Sequence, residues 1–208
     1  MSMPDLPSRY DSCLEVCGRL QHPGLATDMP IWIDHTREET TVDQARIEDV
    51  LEGMDLPERH ILHVGVGNSR FAQRFASRVR LVDGLTVSHE EKELADSLRI
   101  PNYTIYFLSK YSREFLTAIK NRYDLIVDNN LASFACCKYH FFRMFDNYLW
   151  CLRPHGRILT DQRGMDWTVN NDPRWQLTFD DLVALERRFP VTVEKVTDTV
   201  YAIDRILR

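Results

Sequence analysis

The sequence has no apolar run long enough to span a bilayer, no block of lysines or arginines, and no cysteines at metal-ligand spacing. A spanning helix needs about 20 consecutive, mostly apolar residues. The first residues, MSMPDLPSRYDS, also lack the basic flank and apolar stretch of a secretory signal, so the protein is expected in the cytoplasm with no membrane partner. Nucleic-acid binding needs a basic face to neutralise phosphates. With 26 Lys and Arg against 31 Asp and Glu, a net charge of −5, the chain offers none, and a small-molecule substrate is expected instead. Cys13, Cys17, Cys136, Cys137 and Cys151 are odd in number, which points to reduced, mostly buried thiols and no metal site. Internal repeats and low-complexity segments are absent too. Glycine is scarce, eight in 208 residues, and only Gly65 and Gly67 fall two apart.

A chain of 208 residues, 44% hydrophobic, is long enough for one good-sized core. Pro4, Pro7, Pro23, Gly24 and Pro30 punctuate residues 1–40 and leave room for a short helix around Tyr10 to Leu20, so this part is expected to be an extension or flap. Residues 41–208 are expected to form the domain. Thr41 and Gln44 fit a capping box, and Val42, Ala45, Ile47, Val50 and Leu51 lie roughly at helical spacing up to Gly53, predicting a helix over about 42–52.

From residue 60 the pattern alternates between strand and helix: HILHVGVG, SRFAQRFA, RVRLVDGL, SHEEKELADSL, NYTIYFL, SREFLTAIKN, YDLIVDN. Such alternation means a parallel sheet with helices on both faces. A long aromatic helix, Tyr139 to Leu152, a turn at Pro154 to Gly156 and a fifth strand, RILTD, follow. After a helix at about 178–188, VTVEKV and TVYAIDRIL are separated only by a short polar turn around Thr197 and Asp198. That gap is too short for a parallel crossover, so the last two strands must form an antiparallel hairpin.

The segment HVGVGNSRFA places the two glycines between the first strand and a helix. Gly65 and Gly67 permit close ligand approach, and Ser69 is positioned to cap the helix, whose first amides would face a polar ligand. A dinucleotide turn would want glycine or alanine at position 70, where the chain has Arg70, and a GKS or GKT phosphate loop is absent. Together, HVGVGNSRFA, YDLIVDN, CLRPHGRIL and the terminal hairpin resemble a class I S-adenosylmethionine-dependent methyltransferase over about residues 45–208.

The resemblance implies an α/β, Rossmann-like doubly wound sheet of seven strands, order 3-2-1-4-5-7-6, with the seventh antiparallel. S-adenosylmethionine is the implied cofactor, with Gly65, Val66, Gly67 and Asn68 under its methionine and ribose portions. The chain departs from the family at three places. His63 stands where an acidic residue often holds the cofactor's ammonium, although a neutral imidazole accepts a hydrogen bond as well. Thr86, followed by Val87, stands where a carboxylate usually clamps the ribose; Asp83 lies three residues earlier and would need a bulge to serve. Ser109, Lys110 and Tyr111 stand where an aspartate usually receives the adenine amino group, with Ser109 able to accept a bond and Tyr111 to stack. An unreplaced carboxylate costs on the order of 1–3 kcal/mol of binding.

The residues after the fourth strand, DNNLASFACCKYHFF, lie at the expected reaction edge. Asp128 and Asn129 are candidates to orient the acceptor, and Asn130 to bind it. His140, His89 and His63 are candidate bases, should the nucleophile need to lose a proton. Each has a plainer alternative: Asp128 as a loop cap, His140 as a packed residue of an aromatic helix, His89 as a surface residue. Cys136 and Cys137 beside His140 read as inert thiols, and Phe141, Phe142, Phe145, Tyr148 and Leu149 as core at helical spacing. Trp167 and Trp175 either wall an acceptor pocket or plug the sheet's end. Trp32, with Asp34, His35, Thr36 and Arg37, either closes over the cofactor or forms an interface.

The sequence thus points to a methyltransferase acting on a small-molecule acceptor. Two rivals share the scaffold. One is an enzyme that does not transfer methyl, performing group transfer from a nucleoside-derived donor, a cyclisation or an elimination. The other is a non-catalytic partner subunit; the aromatic helix or the extension would then serve as an interface, which also leaves a homodimer open.

Overall fold

The computed structural model describes residues 35–112, 114–120, 122–135, 138–168 and 173–206, Arg174 by its backbone only. The helix expected around Tyr10 to Leu20, Trp32, Asp34 and every cysteine except Cys151 lie outside the described residues.

The first helix, α1, spans Val42–Glu52 and ends at Gly53, as its apolar spacing predicts. The alternating segments then give β1 (His60–Val64), α2 (Arg70–Phe75), β2 (Leu81–Thr86), α3 (His89–Ser97), β3 (Tyr103–Phe107), α4 (Phe115–Ala118) and β4 (Tyr123–Val127). After them come α5 (Lys138–Cys151), β5 (Leu152–Asp161), α6 (Gln162–Met165), α7 (Phe179–Leu185) and the hairpin of β6 (Val191–Lys195) and β7 (Val200–Arg205). One seven-stranded sheet results, in the order β3-β2-β1-β4-β5-β7-β6. β7 runs antiparallel to both β5 and β6, and the other neighbours are parallel.

Both faces of the sheet are covered. Ile47 and Leu51 of α1 pack with Phe71 and Phe75 of α2 on one side. Phe115, Phe141, Phe145 and Tyr148 fill the other. The aromatic stripe of α5 is therefore core at Phe141, Phe145, Tyr148 and Leu149, while half-buried Phe142 leans on Phe189. Cys151 is fully buried, and desolvation pushes its thiol up to about 12, consistent with an inert residue. Among the described residues no helix is long and apolar enough to cross a membrane.

Four local expectations are corrected. The capping box at Thr41 does not form: Thr41 makes no side-chain cap bond, and the Gln44 side chain donates instead to Glu48 Oε1 at 3.2 Å. SREFLTAIKN yields only the single turn Phe115–Ala118. The turn at Pro154 to Gly156 lies inside β5 as a register irregularity, Tyr123 pairing with Leu152 but Leu125 with Arg157. His155 takes φ 60 there, and a Cβ on Gly156 would come within 2.9 Å of the Arg153 carbonyl. Finally, β2 is regular on both sides at Asp83, so no bulge carries that carboxylate to the strand end; it is buried and accepts from Tyr123 Oη at 2.7 Å.

Candidate active site

β1, β2, β3 and β4 all end on one cavity of about 260 Å³. By the same kind of measure a single water needs about 10–15 Å³, so this is space for a ligand. The glycine turn forms part of its wall. Gly65 takes φ +80 and Gly67 φ +48, left-handed conformations that side chains avoid. The turn is anchored by Gly65 N donating to Leu85 O (2.9 Å) and Ser69 N donating to Val66 O (2.8 Å). A Cβ on Gly67 would point between the turn and His35, whose own Cβ would be its nearest neighbour at 3.7 Å.

Asn68, and not Ser69, caps α2. Its Oδ1 accepts from Arg70 N at 3.0 Å while its Nδ2 donates to Glu38 O at 2.7 Å, tying residues 35–41 to the glycine turn. Ser69 sits in a left-handed conformation, fully buried, with Oγ 3.3 Å from Tyr103 Oη; it does not line the cavity.

His63, Gly65, Val66, Gly67, Asn68, Thr86, Val87, Ser109, Lys110, Tyr111, Asp128, Asn129 and Asn130 all line the cavity. His140, Trp167 and Trp175 do not. His140 is buried in α5, edge-on to Tyr139. The two tryptophans stack on each other 5.4 Å apart and stand behind Phe134, which does line the cavity; Trp175 Nε1 donates to Ala135 O at 2.8 Å. His89 stacks on Phe107, 4.1 Å between centroids.

His63 is buried against Phe71, ring on ring at 4.3 Å, and among the described residues neither nitrogen has a partner. Desolvation takes its pKa from 6.5 down to about 3, so the imidazole facing the cavity is neutral. Between pH 6.5 and 3 the unfolded chain therefore binds this proton and the folded chain does not. Stability from this group is complete above pH 6.5 and falls by up to about 1.4 kcal/mol per pH unit as the pH drops towards 3. Replacing His63 with Gln is expected to flatten that part of the acid limb, read as melting temperature against pH; parallel limbs for the two proteins would show that His63 carries no such penalty.

At the edge of β4, Lys110 is buried and donates to Asp128 Oδ2 (2.9 Å) and Oδ1 (3.2 Å), to the carbonyls of Asn130 (2.8 Å) and Leu131 (3.1 Å), and to Ser133 Oγ (3.4 Å). Tyr148 Oη also donates to Asp128 Oδ2, at 2.8 Å. Burial lowers the lysine's pKa, and the adjacent Asp128 opposes that shift. Asp128 is thus the counter-ion of Lys110, which in turn holds the loop after β4 by its carbonyls. Asn129 is held as well: Nδ2 donates to Asp43 Oδ2, and its carbonyl accepts from Thr160 Oγ1 at 3.3 Å. Tyr111 donates to Ser133 O at 2.7 Å, and Ser109 Oγ accepts the Tyr111 amide at 3.2 Å.

Sequence reasoning missed two buried carboxylates. Glu91, in the first turn of α3, accepts from Thr86 Oγ1 at 2.6 Å and lines the cavity. Glu48, from α1, is 3% exposed, also lines it, and pairs with Arg74 at 2.8 Å. Each comes from a helix next to the strand end where an acid was sought. The available signals were faint: Glu91 three residues after the cap Ser88, and Glu48 one helical turn after Gln44.

No protein-family model matches the chain, and no curated protein does. Solved structures do. The N-methyltransferase NodS of Bradyrhizobium japonicum WM9, in complex with S-adenosyl-L-homocysteine, aligns with TM-score 0.62 at 12% identity over 88% of this chain and 97% of that one. The sugar N-methyltransferase KedS8 from Streptoalloteichus sp ATCC 53650 gives 0.61 at 12% over 82% and 90%, and a SAM-dependent methyltransferase from Methanosarcina mazei 0.57 at 15% over 76% and 98%. The chain has the fold of the class I S-adenosylmethionine-dependent methyltransferases, with the sheet order their resemblance implies.

Proposed function

We propose that the protein is an S-adenosylmethionine-dependent methyltransferase acting on a small-molecule acceptor. The observation that carries this reading is the glycine turn, in left-handed conformation, opening on a cavity at the carboxyl ends of β1, β2 and β4. The residues present fit the cofactor. Gly65 and Gly67 leave the approach to the backbone open, and the unpartnered nitrogens of neutral His63 offer an acceptor for an ammonium group. Glu48 adds a buried carboxylate, paired with Arg74, to the lining, and Glu91, reached through Thr86, replaces the carboxylate missing from the end of β2. Both helical carboxylates are pre-oriented by their partners, Arg74 with Gln44 and Thr86.

When bound, S-adenosylmethionine supplies an electrophilic methyl group on sulfur. The chain's part is positioning. Asn129, fixed through Asp43, and Asn130, held by its carbonyl on Lys110, frame the acceptor's place beside the β4 edge, and Phe134 gives it an apolar wall. The neighbours named for N-methylation and for a sugar support a small acceptor.

Glu91→Gln tests the assignment of the ribose clamp. Loss of a charged hydrogen bond costs about 1.5–3 kcal/mol, so affinity for S-adenosylhomocysteine, read by calorimetry, is expected to fall roughly ten- to a hundredfold. Unchanged affinity would remove Glu91 from the site.

A further inference from the structure

The β4 edge offers a ligand an unpaired acceptor. Asn130 lines the cavity, and its Oδ1 is buried without a hydrogen-bond partner among the described residues. Deeper in, neutral His63 has one acceptor nitrogen and one N–H, both unpartnered among the described residues, and its acceptor is the one assigned above to the cofactor's ammonium. At the mouth, Glu38 and Glu39 line the cavity with exposed side chains. Among the described residues Lys110 is the only ammonium that lines it, and its three protons are already shared among Asp128, two carbonyls and Ser133. Phe134, backed by Trp167 and Trp175, adds a flat apolar face.

A carboxylate or phosphate placed here would meet like charge and an unpaired carbonyl-type oxygen, a costly arrangement for a desolvated anion. An amine brings N–H donors, and as an ammonium it brings the complementary charge. We propose that the acceptor is an amine carried on a ring or other flat apolar body, with its N–H on Asn130 Oδ1, its charge towards Glu38 and Glu39, and its apolar body on Phe134. This inference rests on the methyltransferase reading for the cavity's role, yet concerns only this chain's own groups.

Benzylamine, benzyl alcohol and benzoate share one apolar body and differ in the head group. Titrated calorimetrically into the full chain, alone and with S-adenosylhomocysteine present, benzylamine is expected to bind at least about tenfold more tightly than either of the others, the size of one charge-assisted hydrogen bond. Asn130→Leu is expected to erase most of that preference and Asn130→Asp to keep it, with melting temperatures confirming that both variants fold. Equal or weaker binding of benzylamine, no heat from any of the three at millimolar concentration, or a preference that survives Asn130→Leu would overturn the proposal. Binding of S-adenosylhomocysteine without amine preference would sink this inference alone; amine preference without nucleoside binding would sink the methyltransferase reading and leave the amine subsite standing.

Discussion

Lys110→Met is expected to cost about 3–5 kcal/mol of folding stability, the penalty for leaving a buried charge without its partner. Asp128 is 1% exposed and its only cationic partner is Lys110, among the described residues, so the carboxylate would keep Tyr148 as a donor but lose its counter-charge. The loop after β4 would also lose the bonds to the Asn130 and Leu131 carbonyls. For a chain of this size the melting temperature should drop by roughly 6–20 °C. Adding Asp128→Asn, which removes the stranded charge and leaves an oxygen for Tyr148, is expected to recover a large share of the loss, the mark of a coupled pair. If the single variant melts within a degree or two of the wild type, the ion pair does not organise this edge.

Gly67→Arg is expected to abolish binding of S-adenosylhomocysteine while leaving a folded protein. The left-handed φ of +48 costs a non-glycine residue about 1–2 kcal/mol, equivalent to roughly 2–8 °C in melting temperature. The side chain itself meets nothing closer than His35 at its root and so projects into the cavity between the turn and residues 35–41. Steric filling opposes S-adenosylhomocysteine, and against S-adenosylmethionine the added positive charge also opposes the sulfonium. Calorimetry and a thermal melt on the same sample separate the two effects; retained affinity would mean that the cofactor lies elsewhere.

The fold was legible because it depends on periodicity. Alternating strand and helix segments, and a hairpin connection too short to cross over, leave little freedom in the order of the sheet, and the structure follows it. The glycine turn was legible for a similar reason: Gly65 and Gly67 answer a backbone requirement that sequence states directly. Side-chain direction was harder to read. Ser69 stood in a capping position, but its left-handed backbone turns the hydroxyl to Tyr103 and leaves the cap to Asn68. His140 shares a helix with Tyr148, which donates to Asp128, yet lies outside the cavity lining. Lys110, read as a neighbour of adenine, also reaches across to Asp128, an ion pair with no signature in the sequence. Glu48 and Glu91 escaped notice because a carboxylate on a helix reaches a strand end only after the helices pack, a relation with no fixed spacing along the chain.

The most direct measurement is a calorimetric titration of the purified protein with S-adenosylhomocysteine and S-adenosylmethionine. One-to-one binding, lost in Gly67→Arg, is the expected result and would establish that the glycine turn holds the cofactor. Absence of both heat and thermal stabilisation at millimolar ligand would contradict it and leave a methyltransferase fold serving a different ligand.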